Sequence, residues 1–359
     1  MVILQVCAFA AEYPGNFIAT LTKLERAMEE KGSQTIYAFP ERARGMAWCD
    51  ELCGRTRVYF LPEANARIKP ATYRAFKKIY SENDVDIMHS HFELYDVPAT
   101  VTAPKKTRIF WHLHDPIGAG YEEQGVLRRF LTKLQYGTFS KRATMLTVSE
   151  KHGDFAAQLG FSKDRIIYFP NGINTDKIKR ALRQNERSEQ QLLLLGWDVF
   201  RKGVDVACDA AKIIDRKDYS INVVGLDKCE EYLRENGSDN ICFLRPVTDI
   251  NVLFEKSRAF LHISRAEGQS YALLEAIYAG LPVICSDIPE NLFAKMFRNI
   301  YWVKTGDKES LASQIRCVLD EANVPGDEDI EFNRSIIDNK YSINAWVKQT
   351  VDYYTGERK

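Results

Sequence analysis

Short apolar runs rich in β-branched and aromatic residues recur along this chain, and segments of helical period separate them. In the first half the runs are Val2 to Ala8, Thr35 to Phe39, Val58 to Leu61, Asp86 to His91, Arg108 to His114, Ala143 to Val148 and Arg165 to Phe169. Asn16 to Glu30, Pro70 to Glu82, Gly125 to Ser140 and Glu150 to Leu159 read as helices between them. A second series of runs begins at Leu192: Leu192 to Gly196, Ser220 to Val224, Asn240 to Leu244, Ala259 to Ile263, Pro282 to Ser286 and Ile300 to Val303. Alternation of this kind predicts an α/β fold, with mostly parallel sheets covered by helices on both faces. The polar stretch from Pro170 to Gln190 carries many charges and no apolar period, so the boundary is placed there, giving domains 1–170 and 171–339. Between two doubly wound domains, a ligand is expected at the carboxyl ends of the strands.

A chain of 359 residues has ample material for two such cores. Equal numbers of basic and acidic side chains, 49 of each, give no reason to expect nucleic acid as a partner. The longest apolar runs fall far short of the ~20 residues of a membrane span. The opening Met1-Val2-Ile3-Leu4-Gln5-Val6 lacks the basic and small-residue pattern of a signal peptide, so a cytoplasmic protein is expected. The eight cysteines are mostly single residues inside apolar stretches, and only Cys49 and Cys53 lie close together, without a second pair to complete a zinc site. Residues 1–170 carry 23 basic against 19 acidic side chains and the remainder 26 against 30. Much of the basic excess sits in Arg67 to Lys78 and Arg128 to Arg142, which read either as solvated helix faces or as a surface for anionic lipid or an anionic acceptor.

The stretch from Ser264 to Val283 carries the most chemistry. It follows the run Ala259 to Ile263, breaks at Glu267-Gly268, continues as a helix from about Ser270 to Ala279, and stops at Gly280. Strand, turn and helix start gather free backbone N–H groups and the positive end of a helix dipole at one point, which suits a phosphate. Glu267 at the strand end and Glu275, about two turns into the helix, can bond different hydroxyls of one extended ligand.

Two glutamates separated by seven residues in Glu267-Gly268 and Glu275-Ala276, followed by Gly280-Leu281-Pro282-Val283, resemble the donor-binding signature of retaining GT-B glycosyltransferases, particularly glycosyltransferase family 4. The resemblance implies a GT-B architecture of two Rossmann-like, doubly wound parallel-sheet domains facing a central cleft, with a final segment, residues 340–359, packing back on the first domain. It assigns Glu267 to hydroxyls of the donor sugar and Glu275 to the nucleotide ribose. The amides from Gly268 and Gln269 through Ser270, Tyr271, Ala272 and Leu273 go to the sugar and diphosphate.

A second match is Gly196-Trp197-Asp198-Val199-Phe200-Arg201-Lys202-Gly203. The family has Gly-Arg at this strand end and Lys-Gly shortly after, both cations neutralising the diphosphate that leaves. Lys202-Gly203 matches, whereas Trp197 stands in place of the arginine, and Arg201 or Arg265 is the candidate substitute. Charge grows on the departing diphosphate as the glycosidic bond breaks, and fixed cations there lower the barrier.

Four histidines, His89, His91, His112 and His114, close two apolar runs. They read as a sugar contact, as structural residues or as metal ligands. In the family the residue matching His114, followed as here by Asp115, points at the donor sugar, and no metal is needed for catalysis. Asn171-Gly172-Ile173-Asn174 resembles the Asn-Gly-hydrophobic-Asp turn at the domain junction, with Asn174 in place of Asp. Gly15 and Asn16 occupy the acceptor-side loop where the family has paired glycines, and Asn16 can also cap the first helix. Phe243 to Val247 aligns with the segment that holds the base, Arg245 replacing a common glycine. Asp84-Val85-Asp86 spells the motif of metal-dependent GT-A enzymes, but it precedes its strand, at the wrong end for a ligand. No dinucleotide fingerprint, nucleophile elbow or Walker loop is present.

The resemblance covers Val148 to Lys304 most strongly. It implies a metal-independent transferase that moves a hexose-type sugar, with retention, from a nucleotide diphosphate sugar to a glycan or lipid-linked acceptor. Cell-surface glycan or glycolipid assembly is the setting, with peripheral contact at the inner face of an anionic membrane. A silent nucleotide-sugar-binding protein and a GT-B-fold nucleotide-sugar 2-epimerase are the alternatives.

Overall fold

The computed structural model describes residues 1–114, 121, 125–181, 190–320 and 325–357. Contacts divide the chain into two compact units, Met1–Gly172 together with the C-terminal segment from Ile343, and Ile173–Ser342. Asp115 and residues 182–189 of the charged linker lie outside the described residues.

The first unit runs β1 (Val2–Cys7), α1 (Gly15–Glu29), β2 (Gln34–Pro40), α2 (Ala47–Cys53), β3 (Val58–Leu61), α3 (Pro70–Glu82), β4 (Ile87–His91), α4 (Asp96–Thr102), β5 (Arg108–Leu113), α5 (Val126–Phe139), β6 (Ala143–Thr147), α6 (Glu150–Gln158) and β7 (Ile166–Tyr168). The second runs β8 (Gln190–Leu195), α7 (Val204–Ile213), β9 (Tyr219–Val224), α8 (Asp227–Asn236), β10 (Ile241–Leu244), α9 (Asn251–Lys256), β11 (Ser257–His262), α10 (Tyr271–Ala279), β12 (Val283–Ser286), β13 (Ile300–Val303), α11 (Lys308–Leu319) and α12 (Asp327–Lys340). A last helix, α13 (Ile343–Thr355), belongs to the first unit. Strand order is β3-β2-β1-β4-β5-β6-β7 in one sheet and β10-β9-β8-β11-β12-β13 in the other, and the paired strands are parallel. Both are Rossmann-like sheets that reverse direction of winding once, between β1 and β4 and between β8 and β11.

Strand alternation divides each sheet between two cores. Along β1, Leu4 and Val6 join one apolar cluster while Ile3 and Cys7 join clusters on the opposite face. Along β8, Leu192 and Leu194 face one cluster and Leu193 the other. Each such aliphatic side chain contributes about 1.5–3 kcal/mol on burial, which fixes the register, since a one-residue slip would exchange the faces. Observed strands agree with the predicted runs to within about two residues. Helices α2 and α4 were not expected; each has only seven residues, too few for a helical period to show. Asn16 does not cap α1: the helix begins at Gly15 after Pro14, which places Asn16 inside the first turn. Among the described residues no helix is long and apolar enough to cross a membrane.

Candidate functional site

In the second unit, Lys202 and Glu267 meet beside the point where the strand order reverses. Two glycines make the meeting possible. At Gly196, just past β8, a Cβ would lie 2.6 Å from Val204 Cγ2, so any side chain would push α7 off the sheet. Gly203 has φ +73° and a Cβ there would stand 2.5 Å from the Ile263 carbonyl oxygen. The backbone of the Lys202 turn therefore lies flush on the end of β11, one residue past its last strand position. From there Lys202 Nζ donates to Glu267 Oε1, both side chains being buried. The ammonium also sits 4.2 Å from the centre of the Trp197 ring, and Arg201 Nη1 is 4.0 Å from Glu267 Oε2. Trp197 thus takes the position of the expected arginine without its charge, and presents a π-face to the remaining cation.

Burial pushes the Glu267 carboxyl up, but His262, Lys202 and the Ser264 hydroxyl outweigh it and hold the group below its ordinary value. Lys202 is shifted down because burial outweighs the opposing pull of Glu267. Buried His262 is pushed down to about 4 by loss of solvent. A pair of this kind is poised for exchange: each member satisfies the other, and each can turn to a ligand group of opposite polarity.

The N-terminus of α10 lies in the same loop. Ser270 caps the helix, its hydroxyl accepting from the Leu273 N–H at 3.3 Å, so that amide is already engaged. Gln269 is buried, and Gly268, Ser270, Tyr271 and Ala272 are half-buried. Glu275 is half-buried and is the fifth residue of α10, little more than one turn in rather than two, because the helix begins at Tyr271.

The two candidate substitutes for the missing arginine differ. Arg265 is committed elsewhere, bonding both Asp205 oxygens at 2.7 Å and the Phe200 carbonyl. Arg201 bonds Asp198 at 3.3 Å and stays within reach of Glu267, which makes it the nearer cation. Arg245 is exposed and held by Asp227 and Glu230 of α8, each at 2.5 Å, over the Phe243 ring.

In the first unit the four histidines form a buried stack on one face of β4 and β5. His91 pairs with His112 across the strands. Ring centroids lie 4.2 Å apart for His89 and His91 and 4.1 Å for His112 and His114. Nitrogens of His89, His91 and His112 fall within 4.8 Å of one another. Stacked rings, however, set their lone pairs side by side rather than aiming them at one point. His114 Nε2 lies 3.0 Å from His91 Nδ1, and His114 Nδ1 lies 3.1 Å from Asn171 Oδ1. Both nitrogens of the predicted sugar contact are therefore engaged within its own unit. Asn171, expected in the domain-junction turn, is a partner of His114. Gly15, at φ +53°, opens α1, and the Phe17 ring two residues on packs edge-to-face with His91 and His114. Asp86 accepts from the Val2 N–H at the start of β1, and Asp84 pairs with Lys106, so the Asp-x-Asp triplet ties strand beginnings together.

Sequence reasoning passed over Gln5, Tyr354 and His262. A signal existed for Gln5, a lone amide in the middle of an apolar strand, since a buried polar group implies a partner. Tyr354 carried none, because its partners are more than 260 residues away in sequence.

A family model described as glycosyltransferase family 4 matches residues 20–177, and one described as glycosyl transferases group 1 matches residues 189–321. A phosphatidyl-myo-inositol mannosyltransferase of Mycobacterium tuberculosis is 24% identical over 312 residues, 82% of this chain and 79% of its own. A lipopolysaccharide glucosyltransferase of Escherichia coli is 29% identical over 194 residues, 46% of this chain and 52% of its own. Among solved structures, the Anabaena protein HepE in complex with UDP-glucose superposes with a TM-score of 0.77 at 16% identity, covering 99% of this chain and all of that one.

Proposed function

Given that this chain is a GT-B glycosyltransferase resembling family 4, we propose that it moves a hexose from a nucleotide diphosphate sugar to a hydroxyl of a glycolipid or glycan acceptor, with retention and without a metal. The observation that carries the reading is the buried Lys202–Glu267 pair at the strand ends of the second unit, with the α10 N-terminus in the same loop. In the proposed reaction Lys202 leaves Glu267 for the diphosphate, and the helix amides share the charge that develops as the glycosidic bond breaks. Glu267, released, accepts from sugar hydroxyls, and Glu275 accepts from the ribose. Arg201 supplies the second cation. His114 reaches a sugar hydroxyl by exchanging one of its two present hydrogen bonds.

Relatives named for phosphatidyl-myo-inositol and lipopolysaccharide support a glycolipid acceptor. Helix α5 supports peripheral contact with an anionic membrane. Val126, Leu127, Phe130, Leu131 and Leu134 are each more than half exposed and recur at helical spacing, with Arg128, Arg129 and Lys133 among them. An apolar stripe flanked by cations is the pattern of an interfacial helix.

The test is a thermal-shift panel of UDP-, GDP- and ADP-sugars in EDTA, repeated on Glu275→Ala. A ligand at 100 times its dissociation constant raises stability by about 2.7 kcal/mol. One nucleotide class should shift the protein and the variant should abolish the shift; no shift with any nucleotide would overturn the donor assignment. With the donor known, the anomeric configuration of the product, read by NMR, decides retention.

A further inference from the structure

Hydrogen bonds run without a break from the last helix to His114. The Tyr354 hydroxyl on α13 lies 2.6 Å from His89 Nδ1 and accepts from the Gln5 amide at 3.0 Å. Gln5 Oε1 is 3.0 Å from His91 Nε2, His91 Nδ1 is 3.0 Å from His114 Nε2, and His114 Nδ1 is 3.1 Å from Asn171 Oδ1. Gln5, His89, His91, His114, Asn171 and Tyr354 are all buried.

Proton counting restricts this chain. A neutral imidazole has one N–H and one lone pair. Burial keeps the rings neutral, pushing His89 down to about 3 and His114 to about 4, with His91 lower than usual for the same reason. As the two amides stand, the Gln5 carbonyl calls for an N–H from His91 and the Asn171 carbonyl for one from His114, while the contact between the rings needs a third. Two neutral rings hold only two. Rotating either carboxamide by half a turn, which exchanges O for NH₂ in the same shape, resolves the conflict. With Gln5 kept, His91 and His114 both carry their proton on Nε2 and Asn171 offers its NH₂ to His114. With Asn171 kept, both carry it on Nδ1, Gln5 turns to donate to His91 and accept from the Tyr354 hydroxyl, and His89 donates to the Tyr354 oxygen. Every link points one way or every link points the other.

We propose that Gln5 and Tyr354 are positioning residues for His114, a hydrogen-bond relay whose polarity decides which His114 nitrogen carries the proton and so whether that ring meets a ligand hydroxyl as donor or acceptor. The functional consequence rests on the reading of His114 as the sugar contact; the relay itself stands on the geometry. A change on the C-terminal helix is then felt at a ring it does not touch.

The test reads the imidazole nitrogens of the full chain by ¹⁵N NMR without any nucleotide. In Gln5→Met the thioether accepts but cannot donate, so the His91 proton goes to Nε2 and His114 follows with its own on Nε2. In Tyr354→Phe His89 loses its partner in either polarity, while the Gln5 amide loses an acceptor in one and a donor in the other; the polarity that leaves Gln5 with an unmatched lone pair rather than an unmatched N–H is favoured. The His114 signals of the two variants should differ from each other, and kcat should change more than the donor KM in the variant that departs from wild type. Coincident His114 nitrogens in Gln5→Met and Tyr354→Phe would overturn the relay. If His114→Ala keeps full turnover while the two variants still separate the signals, the sugar-contact reading falls and the relay remains.

Discussion

At Lys202 the contact with Glu267 that holds the fold is also the one the proposed reaction would use. Its ammonium is enclosed by Glu267 and by the Trp197 ring, so truncation leaves a buried carboxylate without its partner. Lys202→Ala should lower unfolding free energy by about 3–5 kcal/mol, measured by denaturant titration. It should also lower turnover by ~10²–10³, the loss expected when one fixed charge is removed from a transition state. Nucleotide donor at saturating concentration should restore part of the stability and none of the rate. Equal stability in wild type and variant would mean the pair is not formed in solution. Nothing in Lys202-Gly203 as written tells a reader that the lysine is buried; that follows from the close approach of the Gly203 backbone to Ile263, a distance no local pattern encodes.

At the scale of elements, helix α5 buries only Tyr136 fully, while its apolar stripe faces outward. Its periodicity was legible, but an amphipathic helix looks the same in sequence whether its stripe meets a core or is left bare. Flotation with vesicles containing anionic phosphatidylglycerol should carry the wild type upward at low salt. Phe130→Glu with Leu131→Glu should leave it at the bottom, with unchanged melting temperature because neither side chain packs in the core. Wild type that stays in solution removes the membrane role. The inner strands were the easiest elements to read, since β1, β4 and β11 are runs buried on two faces. The loop that carries Glu267 was legible because its strand, turn and helix are contiguous from Ala259 to Ala279. The histidine stack was half legible: alternation put His89 with His91 and His112 with His114, but the register that sets His91 opposite His112, and the partners Gln5 and Tyr354, come from elements far apart in the chain.

For the whole molecule, buried histidines set the response to acid. His89, pushed down to about 3, and His114 and His262, pushed down to about 4, are neutral when folded and charge readily when unfolded. Between those values and the ordinary histidine value the unfolded chain binds more protons. Stability is therefore full above about pH 6.5 and falls as the pH drops toward 4, by about 1.4 kcal/mol per pH unit for each such ring. Asp96, raised to about 7 by burial, acts in the opposite sense and offsets one of them. His91 and His112 are pushed down by burial as well, so four such rings lie in the first unit against one in the second, and acid melts should separate into two steps, the first unit leaving first. A single transition with a constant midpoint from pH 7 to pH 5 would contradict this. The return of α13 to the first unit also orders events during synthesis. The second unit is one continuous stretch and has all its strands once Ser342 has left the ribosome, whereas the first, begun earlier, lacks the Trp346 and Tyr354 side of its core until the final helix emerges. The half that is translated first is the half that is completed last, and a chain stopped short of residue 343 would hold one finished unit and one that exposes Ile3, Phe110 and Phe169 to whatever meets it.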